Sequence, residues 1–342
     1  MCDTIVLMEM EISNKIYNEI FEYLDRKGLI AELVRMFQVT EAERYAELSI
    51  DEEGLSLLET IRCFYDKNRS LLFAREVENL CKPGNVVIEA GIGTGILSFV
   101  AASCGAKVYG VELNKQTLAL ANEINTELIK KGFYSSDQIS FSLGDAHDYT
   151  PAVTADFIIS ENNYTGMFYE KQISIGNHLI KFLKPKGIFI SSGWQDFAFL
   201  ACSDFPYKPQ PKELFVPSAL EGVWVPYTQL SPTIQYTNFD FCKTNPEKIN
   251  VSCDLAILED GDINSIVVYS KVPMPSGYVI GRYDAIALNN DIVIALPSVK
   301  VKKGDVVKLQ LEYNCGDDVN QAEISVTKGK SLPKYITQNT LL

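Results

Sequence analysis

The chain lacks long apolar runs, and its cysteines lack any paired spacing. None of its apolar runs approaches the roughly 18 residues that a membrane-spanning helix needs, which predicts a soluble protein. The eight cysteines are scattered without a C-x-x-C pair. We therefore expect reduced, buried thiols rather than a zinc site or a disulfide framework. The sequence opens with Asp3 and Glu9 rather than a basic region followed by an apolar one, so we expect no signal peptide and a cytoplasmic location.

Positive charge is also scarce. The chain has 31 Lys and Arg against 44 Asp and Glu, a formal net charge of -13 at pH 7. Such an acidic protein repels phosphate backbones, and the sequence has no basic stretch interleaved with aromatic residues. Nucleic acid is therefore disfavoured as a substrate, and a cationic or neutral substrate is favoured. The content of 46% apolar and 11% aromatic residues is ordinary for a globular protein.

Three regions of different character follow one another along the chain. Residues 1–80 carry apolar residues at helical spacing, which predicts a helical N-terminal segment or lid. In residues 81–193, strands alternate with helices, which predicts a doubly wound, mostly parallel α/β sheet of the Rossmann-like kind. Residues 194–330 contain β-branched runs separated by turns, typical of a β-barrel or sandwich, and residues 331–342 form a tail. The five strands predicted in the α/β region are 86–90, 108–112, 139–143, 157–160 and 188–191, and helices are predicted near 96–104, 115–131 and 168–183.

The most informative stretch of the sequence is 86–97. It starts with an apolar run, 86–90, that is typical of a buried parallel strand. Gly91, Gly93 and Gly95 then allow a tight turn before a predicted helix. A strand, a glycine turn and a helix N-terminus form a nucleotide pocket. Dinucleotide-binding folds carry a similar glycine pattern, so the motif alone leaves the nucleotide open.

Two carboxylates narrow the choice of nucleotide. Glu89 stands two residues before the first glycine, where it repels a pyrophosphate and attracts a cationic amino group. Glu112 ends the next predicted strand, where a carboxylate accepts from both ribose hydroxyls, and Leu113 follows it as a further cofactor contact. An acid on each of two successive strand ends favours S-adenosylmethionine over a dinucleotide.

The loop after the third strand supplies the predicted adenine contacts. Asp145 accepts from the adenine amino group, and the backbone N–H of Ala146 serves the neighbouring ring nitrogen. A polar loop without a ligand is the alternative. His147 follows them and is interpreted as a polar wall residue rather than as a base.

A second polar segment, residues 161–170, follows the fourth strand at the edge where open parallel sheets bind ligands. Glu161 and Glu170 flank this segment. A guanidinium offers five donors in a fixed fork, which two carboxylates grip in plane, leaving one nitrogen polarised and directed at the sulfonium methyl. We predict that these two residues are the catalytic pair. Two solvated carboxylates on a surface loop are the alternative.

These motifs together resemble the protein arginine methyltransferase family over roughly residues 60 to 325. Residues 88–98 are similar to the cofactor loop of the family and residues 108–112 to its ribose-binding strand. Ser160-Glu161 and Phe168-Tyr169-Glu170 match the ends of its double-glutamate loop. The resemblance implies a β-barrel after the sheet. It also implies that Arg69, in Asp66-Lys67-Asn68-Arg69, holds the S-adenosylmethionine carboxylate and that Glu112 holds the ribose.

The chain also departs from the family in three places. Between the glutamates the family has Glu-Trp-Met-Gly, whereas residues 161–166 read Glu-Asn-Asn-Tyr-Thr-Gly, so a more polar pocket wall is expected. His147 and His178 are the only histidines, and neither lies in the β region, where the family has a Thr-His-Trp loop; its counterpart is expected around residues 282–285. Residues 204–230 are too few for the helical arm through which the family dimerises.

The sequence therefore predicts an S-adenosylmethionine-dependent methyltransferase that N-methylates a guanidino or amino group. The acceptor is a small molecule, a peptide or an arginine in a protein, with a slight preference for the first two. We expect no metal, no nucleic acid and no membrane partner, and the oligomeric state is left open. The alternative is a non-catalytic module that binds S-adenosylmethionine or its demethylated product and recruits a partner through the β region.

Overall fold

The computed structural model describes residues 11–37, 50–51, 54–216, 225–285 and 288–328. The predicted tail, 331–342, lies outside the described residues. The first elements along the chain are α1 (Glu11–Arg26), α2 (Leu29–Met36), β1 (Ile50–Asp51), β2 (Gly54–Leu55), α3 (Leu57–Tyr65) and α4 (Lys67–Leu80). In α1, Ile16, Ile20 and Leu24 recur at helical spacing and are fully buried.

Two short polar caps fix where α3 and α4 begin. The Ser56 side chain accepts from the backbone N–H of Glu59 at the start of α3. The Asp66 side chain accepts from the backbone N–H of Arg69 at the start of α4, at 3.2 Å. Because such caps satisfy free N–H groups of the first turn, they define the helix start. The cap at Asp66 therefore places Arg69 in the first turn of α4.

A parallel sheet with helices follows. Its elements are β3 (Val86–Ala90), α5 (Ile96–Ser103), β4 (Lys107–Glu112), α6 (Lys115–Lys130), β5 (Ile139–Leu143), β6 (Ala155–Ser160), α7 (Gln172–Leu179) and β7 (Leu183–Ile190). The strand order is β5-β4-β3-β6-β7, and all four pairings are parallel. The prediction of a doubly wound parallel sheet is confirmed. The order reverses between β3 and β6, and this switch point is where such sheets bind ligands.

The element bounds differ from the predicted ones at two places. The helix expected from residue 168 begins at Gln172, because the preceding turn at Thr165–Met167 has positive φ angles at Gly166 (73°) and Met167 (56°), and Tyr169 has another (61°). These left-handed conformations are incompatible with a continuing right-handed helix. The last strand begins at Leu183 rather than at residue 188, with a register shift against β6 between Ala155 and Phe157.

The rest of the chain forms antiparallel sheets. The strands are β8 (Gly193–Ser203), β9 (Leu214–Phe215), β10 (Tyr227–Gln229), β11 (Ile234–Gln235), β12 (Phe239–Asp240), β13 (Lys248–Ala256), β14 (Gly261–Pro273), β15 (Val279–Ile280), β16 (Ile292–Val301), β17 (Val306–Asn314) and β18 (Glu323–Lys328). Strand β8 pairs with β10, β11, β12 and β14, and a separate sheet has the order β13-β17-β18. This confirms the prediction of a β region after the parallel sheet.

The parallel and antiparallel parts share one hydrophobic core. Phe189 of β7 packs on Phe241 with ring centroids 5.6 Å apart, and Trp194 of β8 is fully buried between the two parts. A smaller cluster lies apart from this core and includes Phe199, Phe215 and Val267. The two parts therefore pack as one body, which fixes the position of the antiparallel part relative to the edge of the parallel sheet.

Within the described residues, no helix has the length and apolar character needed to cross a membrane. The same residues contain no group of three or more His, Cys, Asp or Glu side chains placed to hold a metal ion. In the region predicted to be too short for a dimerisation arm, residues 217–224 lie outside the described residues, and the neighbouring chain contains only the short strands β9 and β10.

Candidate active site

A cavity of about 290 Å³ lies at the carboxyl edge of the parallel sheet. The cavity is lined by the ends of β3 and β4, the glycine turn that follows β3, the loop 144–147, helices α3 and α4, and residues of the segment 161–175. Among the residues predicted to form the site, those that line the cavity are Arg69, Glu89, Gly91, Gly93, Glu112, Leu113, Asp145, Ala146, Glu161 and Glu170. The structure thus brings the predicted cofactor residues and the two predicted catalytic glutamates to one place.

Gly95 is the predicted site residue that does not line the cavity. It begins α5 in the left-handed conformation, with φ 88°, and a Cβ there would collide with the Phe99 ring. Gly91 has φ 76°, and a Cβ there would lie 2.5 Å from Oδ1 of Asn162. Both positions require glycine, but for different reasons. Gly95 closes the turn onto the helix, whereas Gly91 lets the segment that carries Glu161 approach the strand end.

Glu112 ties the end of β4 to the glycine turn. Its Oε2 accepts from the backbone N–H of Gly93 at 3.0 Å, and its Oε1 accepts from the backbone N–H of Asn114 at 2.9 Å. Burial raises the pKa of Glu112, and these backbone hydrogen bonds oppose the rise. Each carboxylate oxygen still has a lone pair free, so the side chain is able to accept from two hydroxyl groups as well.

Glu89 lies deeper, at the end of β3. It is 2% exposed and accepts a hydrogen bond from the hydroxyl of Ser98 on α5. Burial raises the pKa of Glu89 to about 8, although the Ser98 hydrogen bond acts in the opposite direction. A nearby cation favours the anionic form of such a buried carboxyl group. The position is therefore suited to a ligand that brings a positively charged amino group.

Asp145 and His147 form a connected group at the far end of the cavity. Asp145 Oδ1 accepts from the backbone N–H of His147 at 2.8 Å and lies 2.7 Å from its Nδ1, while His147 Nε2 lies 2.7 Å from the Ser174 hydroxyl. Partial burial opposes ionisation of Asp145, but the backbone and side-chain hydrogen bonds from His147 lower its pKa overall. His147 thus lines the cavity, as predicted, and also fixes the orientation of Asp145.

Arg69, a predicted cofactor residue, forms an ion pair with Glu161, a predicted catalytic residue. The Arg69 guanidinium contacts Glu161 Oε2 and donates from Nη1 to the Cys63 carbonyl at 3.1 Å. Arg69 Nε and Glu161 Oε1 are buried without a hydrogen-bond partner among the described residues. Because a buried polar atom without a partner is costly, these two atoms indicate that the cavity is shaped for a polar ligand.

Glu170, at the other end of the segment, lines the same cavity as Glu161. Burial raises the pKa of Glu170 to about 7, and the nearby Arg69 opposes this rise. The two glutamates therefore have different surroundings. Glu161 is paired with a cation, whereas Glu170 changes its protonation close to neutral pH, which suits a group that accepts a proton.

The expected counterpart of the family histidine loop lies elsewhere. Arg282 forms an ion pair with Asp291 and stacks on the Tyr269 ring at 4.2 Å, and none of residues 282–285 lines the cavity. The same loop reaches the site at another residue, since the Thr165 hydroxyl donates to the carbonyl of Asn290 at 2.7 Å. Residues 282–285 therefore supply no side chain to the cavity wall.

The N-terminal helices also form part of the cavity wall, which the sequence did not predict. Thr60, Cys63 and Phe64 of α3 and Ser70 of α4 line the cavity. The spacing 60, 63, 64 places the first three on one helix face, and this spacing was visible in the sequence. It did not indicate whether that face meets the sheet edge or the core.

The strand order, the glycine turn after β3 and the acid at the end of β4 define a class I, Rossmann-like nucleotide-binding fold of the methyltransferase type. The sequence profile of the methyltransferase domain matches residues 81–256. A protein arginine N-methyltransferase 1 of Chlamydomonas reinhardtii is 31% identical over 256 residues, 71% of this chain and 68% of that protein. An uncharacterised protein of Methanocaldococcus jannaschii is 27% identical over 267 residues, 76% and 93% of the two chains.

Solved structures share the fold. The Trypanosoma brucei PRMT1 enzyme–prozyme heterotetrameric complex with AdoHcy matches with a TM-score of 0.60 at 16% identity, covering 78% of this chain and 96% of that chain. Protein arginine methyltransferase 10 of Arabidopsis thaliana matches with a TM-score of 0.58 at 14% identity, covering 77% and 94%. The chain therefore belongs to the methyltransferase-domain family and is an S-adenosylmethionine-dependent methyltransferase of the protein arginine methyltransferase-like kind.

Proposed function

We propose that this methyltransferase transfers its methyl group to a guanidino nitrogen held between Glu161 and Glu170. The observation that carries the proposal is that both carboxylates line the same cavity as the glycine turn. Glu161 Oε1 is buried there without a hydrogen-bond partner among the described residues. The relative from Chlamydomonas is named a protein arginine N-methyltransferase, which supports a guanidino group as the acceptor.

The cavity residues fit S-adenosylmethionine. We propose that Arg69 binds the carboxylate, Glu89 the amino group, and Glu112 with Leu113 the ribose. Asp145 and the Ala146 N–H bind the adenine, and Gly91 and Gly93 let the backbone approach the ligand, with Gly95 closing the turn. This assignment is supported by the buried Nε of Arg69, which has no hydrogen-bond partner among the described residues, and by the raised pKa of Glu89. We further propose that residues 81–193 form the cofactor-binding domain and residues 194–330 the second domain.

When bound, the cofactor supplies an electrophilic sulfonium methyl group. The protein orients the acceptor nitrogen in line with it and excludes water. Glu161 binds one edge of the guanidinium through charge-assisted hydrogen bonds, and Glu170 binds the other. A guanidinium must lose a proton as the methyl group is transferred. Glu170, whose pKa is raised to about 7 by burial, accepts that proton in the proposed mechanism.

The ion pair between Arg69 and Glu161 connects the two binding events in this proposal. Arg69 contacts Glu161 Oε2, so the carboxylate is neutralised by a guanidinium of the protein itself. A carboxylate ligand beside Arg69 competes for that guanidinium. Glu161 is then free to bind a guanidinium of the acceptor.

We favour a small-molecule or peptide acceptor. The net charge of -13 attracts cationic acceptors of any size. Asn162 lines the cavity directly beside Glu161, and the neighbouring Asn163 has a buried carboxamide without a hydrogen-bond partner among the described residues. These amides offer donors and acceptors to a polar acceptor in addition to the guanidine contacts.

The test is methyl transfer from labelled S-adenosylmethionine to a panel of acceptors, with the products identified by mass spectrometry. The panel contains free arginine, other guanidino metabolites, arginine-rich peptides, and amine and hydroxyl compounds as controls. We expect label only in guanidino compounds, and the relative rates separate metabolite from peptide. Label only in the amine or hydroxyl compounds contradicts the proposal. Tight AdoHcy binding without transfer to any compound favours the non-catalytic module instead.

A further inference from the structure

The segment 161–170, which carries both glutamates, is fixed at its centre by the antiparallel part of the protein. The Gly166 N–H donates to Asp196 Oδ1 at 3.0 Å, and the Gly166 carbonyl accepts from the Tyr313 hydroxyl at 2.6 Å. The Phe168 ring stacks on Tyr313 with centroids 4.4 Å apart. Gly166 lies between the two glutamates in sequence, so these contacts control the part of the segment that sets their separation.

The backbone of this segment is strained at several residues. Gly166 has φ 73°, and the non-glycine residues Met167 and Tyr169 have φ 56° and 61°. Left-handed conformations at non-glycine residues persist only where surrounding contacts impose them. Here the Gly316 N–H donates to the Met167 carbonyl at 2.8 Å, and the Tyr169 N–H donates to the Asp317 carbonyl at 3.1 Å. The path of the chain toward Glu170 thus depends on partners more than a hundred residues away.

Asp196 is the charged member of this set of partners. It is fully buried on β8 and accepts four hydrogen bonds. Oδ1 accepts from Ser270 Oγ at 2.6 Å, from Trp194 Nε1 at 2.7 Å and from the Gly166 N–H, and Oδ2 accepts from Thr237 Oγ1 at 2.7 Å. Three donors lie in the antiparallel part, and the fourth belongs to the two-glutamate segment. A carboxylate is costly to bury, and four donors offset that cost.

We propose that Asp196 is a positioning residue, which holds the two-glutamate segment so that Glu161 and Glu170 face the same acceptor. The inference rests on the proposed role of those two glutamates. Asp196 lies within a rigid strand pair, since it stands opposite Ser270 in the register of β8 and β14. The segment itself has only a short 3₁₀ turn at this point. The strand pair therefore holds Asp196 in place, and the hydrogen bond from the Gly166 N–H fixes the position of the segment relative to Asp196.

Two substitutions of Asp196 separate geometry from packing. In Asp196→Asn, the amide oxygen still accepts from Ser270, Trp194 and Gly166, while the amide nitrogen donates to the Thr237 hydroxyl. In Asp196→Ala, all four donors lose the carboxylate, and the Gly166 N–H keeps only the weaker contact to Ser270 Oγ at 3.3 Å. Ser265→Ala is the matched control, since it removes a buried hydroxyl of β14 that bonds to Ser203 Oγ at 2.7 Å, outside the two-glutamate segment.

The experiment measures three properties of each variant of the full chain. These are amide hydrogen exchange in residues 164–170, AdoHcy affinity by calorimetry, and kcat and KM for the best acceptor of the panel. For Asp196→Ala we expect exchange in residues 164–170 to rise about 10-fold or more, because one anchoring hydrogen bond is lost. We expect kcat to fall about 10-fold or more, because misplacement of the reacting groups costs rate. AdoHcy affinity stays unchanged.

The remaining outcomes decide the proposal. Asp196→Asn is expected to restore wild-type exchange and kcat, and Ser265→Ala to leave both unchanged. Exchange that stays at the wild-type level in Asp196→Ala, or rises equally throughout the β strands, overturns the inference, as does Asp196→Asn behaving like Asp196→Ala. If Asp196→Ala does not fold, Gly166→Ala replaces it, because its Cβ would lie 2.8 Å from the Phe168 ring. The hydrogen-exchange data test the positioning role of Asp196 even if no guanidino compound is methylated. The acceptor panel tests the proposed function separately.

Discussion

The two ends of the cavity are constructed in different ways. The cofactor end consists of strand ends and a glycine turn within one parallel sheet, where Glu112 bonds to the backbone of Gly93, 19 residues away. The acceptor end consists of a segment whose shape is set by Asp196 and Tyr313, residues of the antiparallel part. The cofactor end is thus determined largely by local sequence, and the acceptor end by long-range contacts. The two ends should therefore fail independently when they are altered separately.

The largest expected effect isolates the acceptor end. Glu161→Gln and Glu170→Gln each remove a carboxylate that binds the acceptor, and we expect kcat to fall by about 100-fold or more for either variant. AdoHcy affinity, measured by calorimetry, should stay unchanged in Glu170→Gln. Glu259→Gln, at an exposed position, is the control and should behave as wild type. A parallel loss of AdoHcy binding in Glu170→Gln would show that the two ends are not separable.

The converse variant isolates the cofactor end. Glu112→Gln replaces an acceptor of two backbone N–H groups by an amide that has one accepting atom, and it also weakens the ribose contact. We expect AdoHcy to bind about 10- to 100-fold more weakly, since charge-assisted hydrogen bonds are lost. Hydrogen exchange in residues 164–170 should not change. An increase there would mean that the acceptor end depends on the cofactor end.

A glycine pair tests the place where the two ends touch. In Gly91→Ala, the new methyl group would lie 2.5 Å from Asn162 Oδ1 and φ is 76°, whereas in Gly84→Ala φ is 86° and nothing lies within 4 Å. Strain at a positive φ costs about 1–2 kcal/mol of unfolding free energy in both variants. Overpacking adds about 1–3 kcal/mol in Gly91→Ala alone. Denaturant unfolding measures both, and equal losses would indicate that Asn162 moves away at no cost.

Titration gives a smaller contrast at the cofactor end. The pKa of Glu89 is raised by burial from 4.5 to about 8, so the folded protein binds more protons than the unfolded chain between these two values. The unfolding free energy of the ligand-free protein should therefore decrease as the pH rises from about 5 to about 8. Glu89→Gln cannot titrate and should show a shallower decrease. Identical slopes in chemical denaturation would argue against the raised pKa.

The smallest expected effect lies at the adenine end. Ser174→Ala removes the hydroxyl that lies 2.7 Å from His147 Nε2 and leaves the contact between His147 and Asp145 in place. Loss of one hydrogen bond of about 1 kcal/mol corresponds to AdoHcy binding about fivefold more weakly. Thr126→Ala, at an exposed position on α6, is the control. An unchanged AdoHcy affinity in Ser174→Ala would contradict a role of His147 in cofactor binding.

The contrast between the two ends also explains what the sequence was able to predict. The glycine turn, the strands β3 and β4 and the acids at their ends are short-range patterns, and the structure brings the residues of these patterns to one cavity. The pairing of Glu161 with Arg69 and the role of Asp196 involve residues distant in sequence. No periodicity or motif indicates the role of Asp196. A sequence pattern reports only on nearby residues, whereas most of the hydrogen-bond donors to Asp196 are distant in sequence.

The contact between the loop after β15 and the two-glutamate segment was equally invisible in the sequence. It is made by the Asn290 carbonyl, which accepts from the Thr165 hydroxyl. A backbone contact leaves no signature in the identity of the side chain. The start of the helix predicted at 168–183 was also misplaced, because the positive φ angles at Met167 and Tyr169 are imposed by tertiary hydrogen bonds rather than by the residue types.

The central claim is that the two glutamates direct the methyl group to a guanidino nitrogen. The most direct measurement is fragmentation mass spectrometry of the product formed from the best acceptor of the panel, for the wild type and for Glu161→Gln and Glu170→Gln. We predict that the added methyl group lies on a guanidino nitrogen in the wild type and that both variants yield almost no product. A methyl group on an amine or a hydroxyl, or a product that both variants form at the wild-type rate, would contradict the claim.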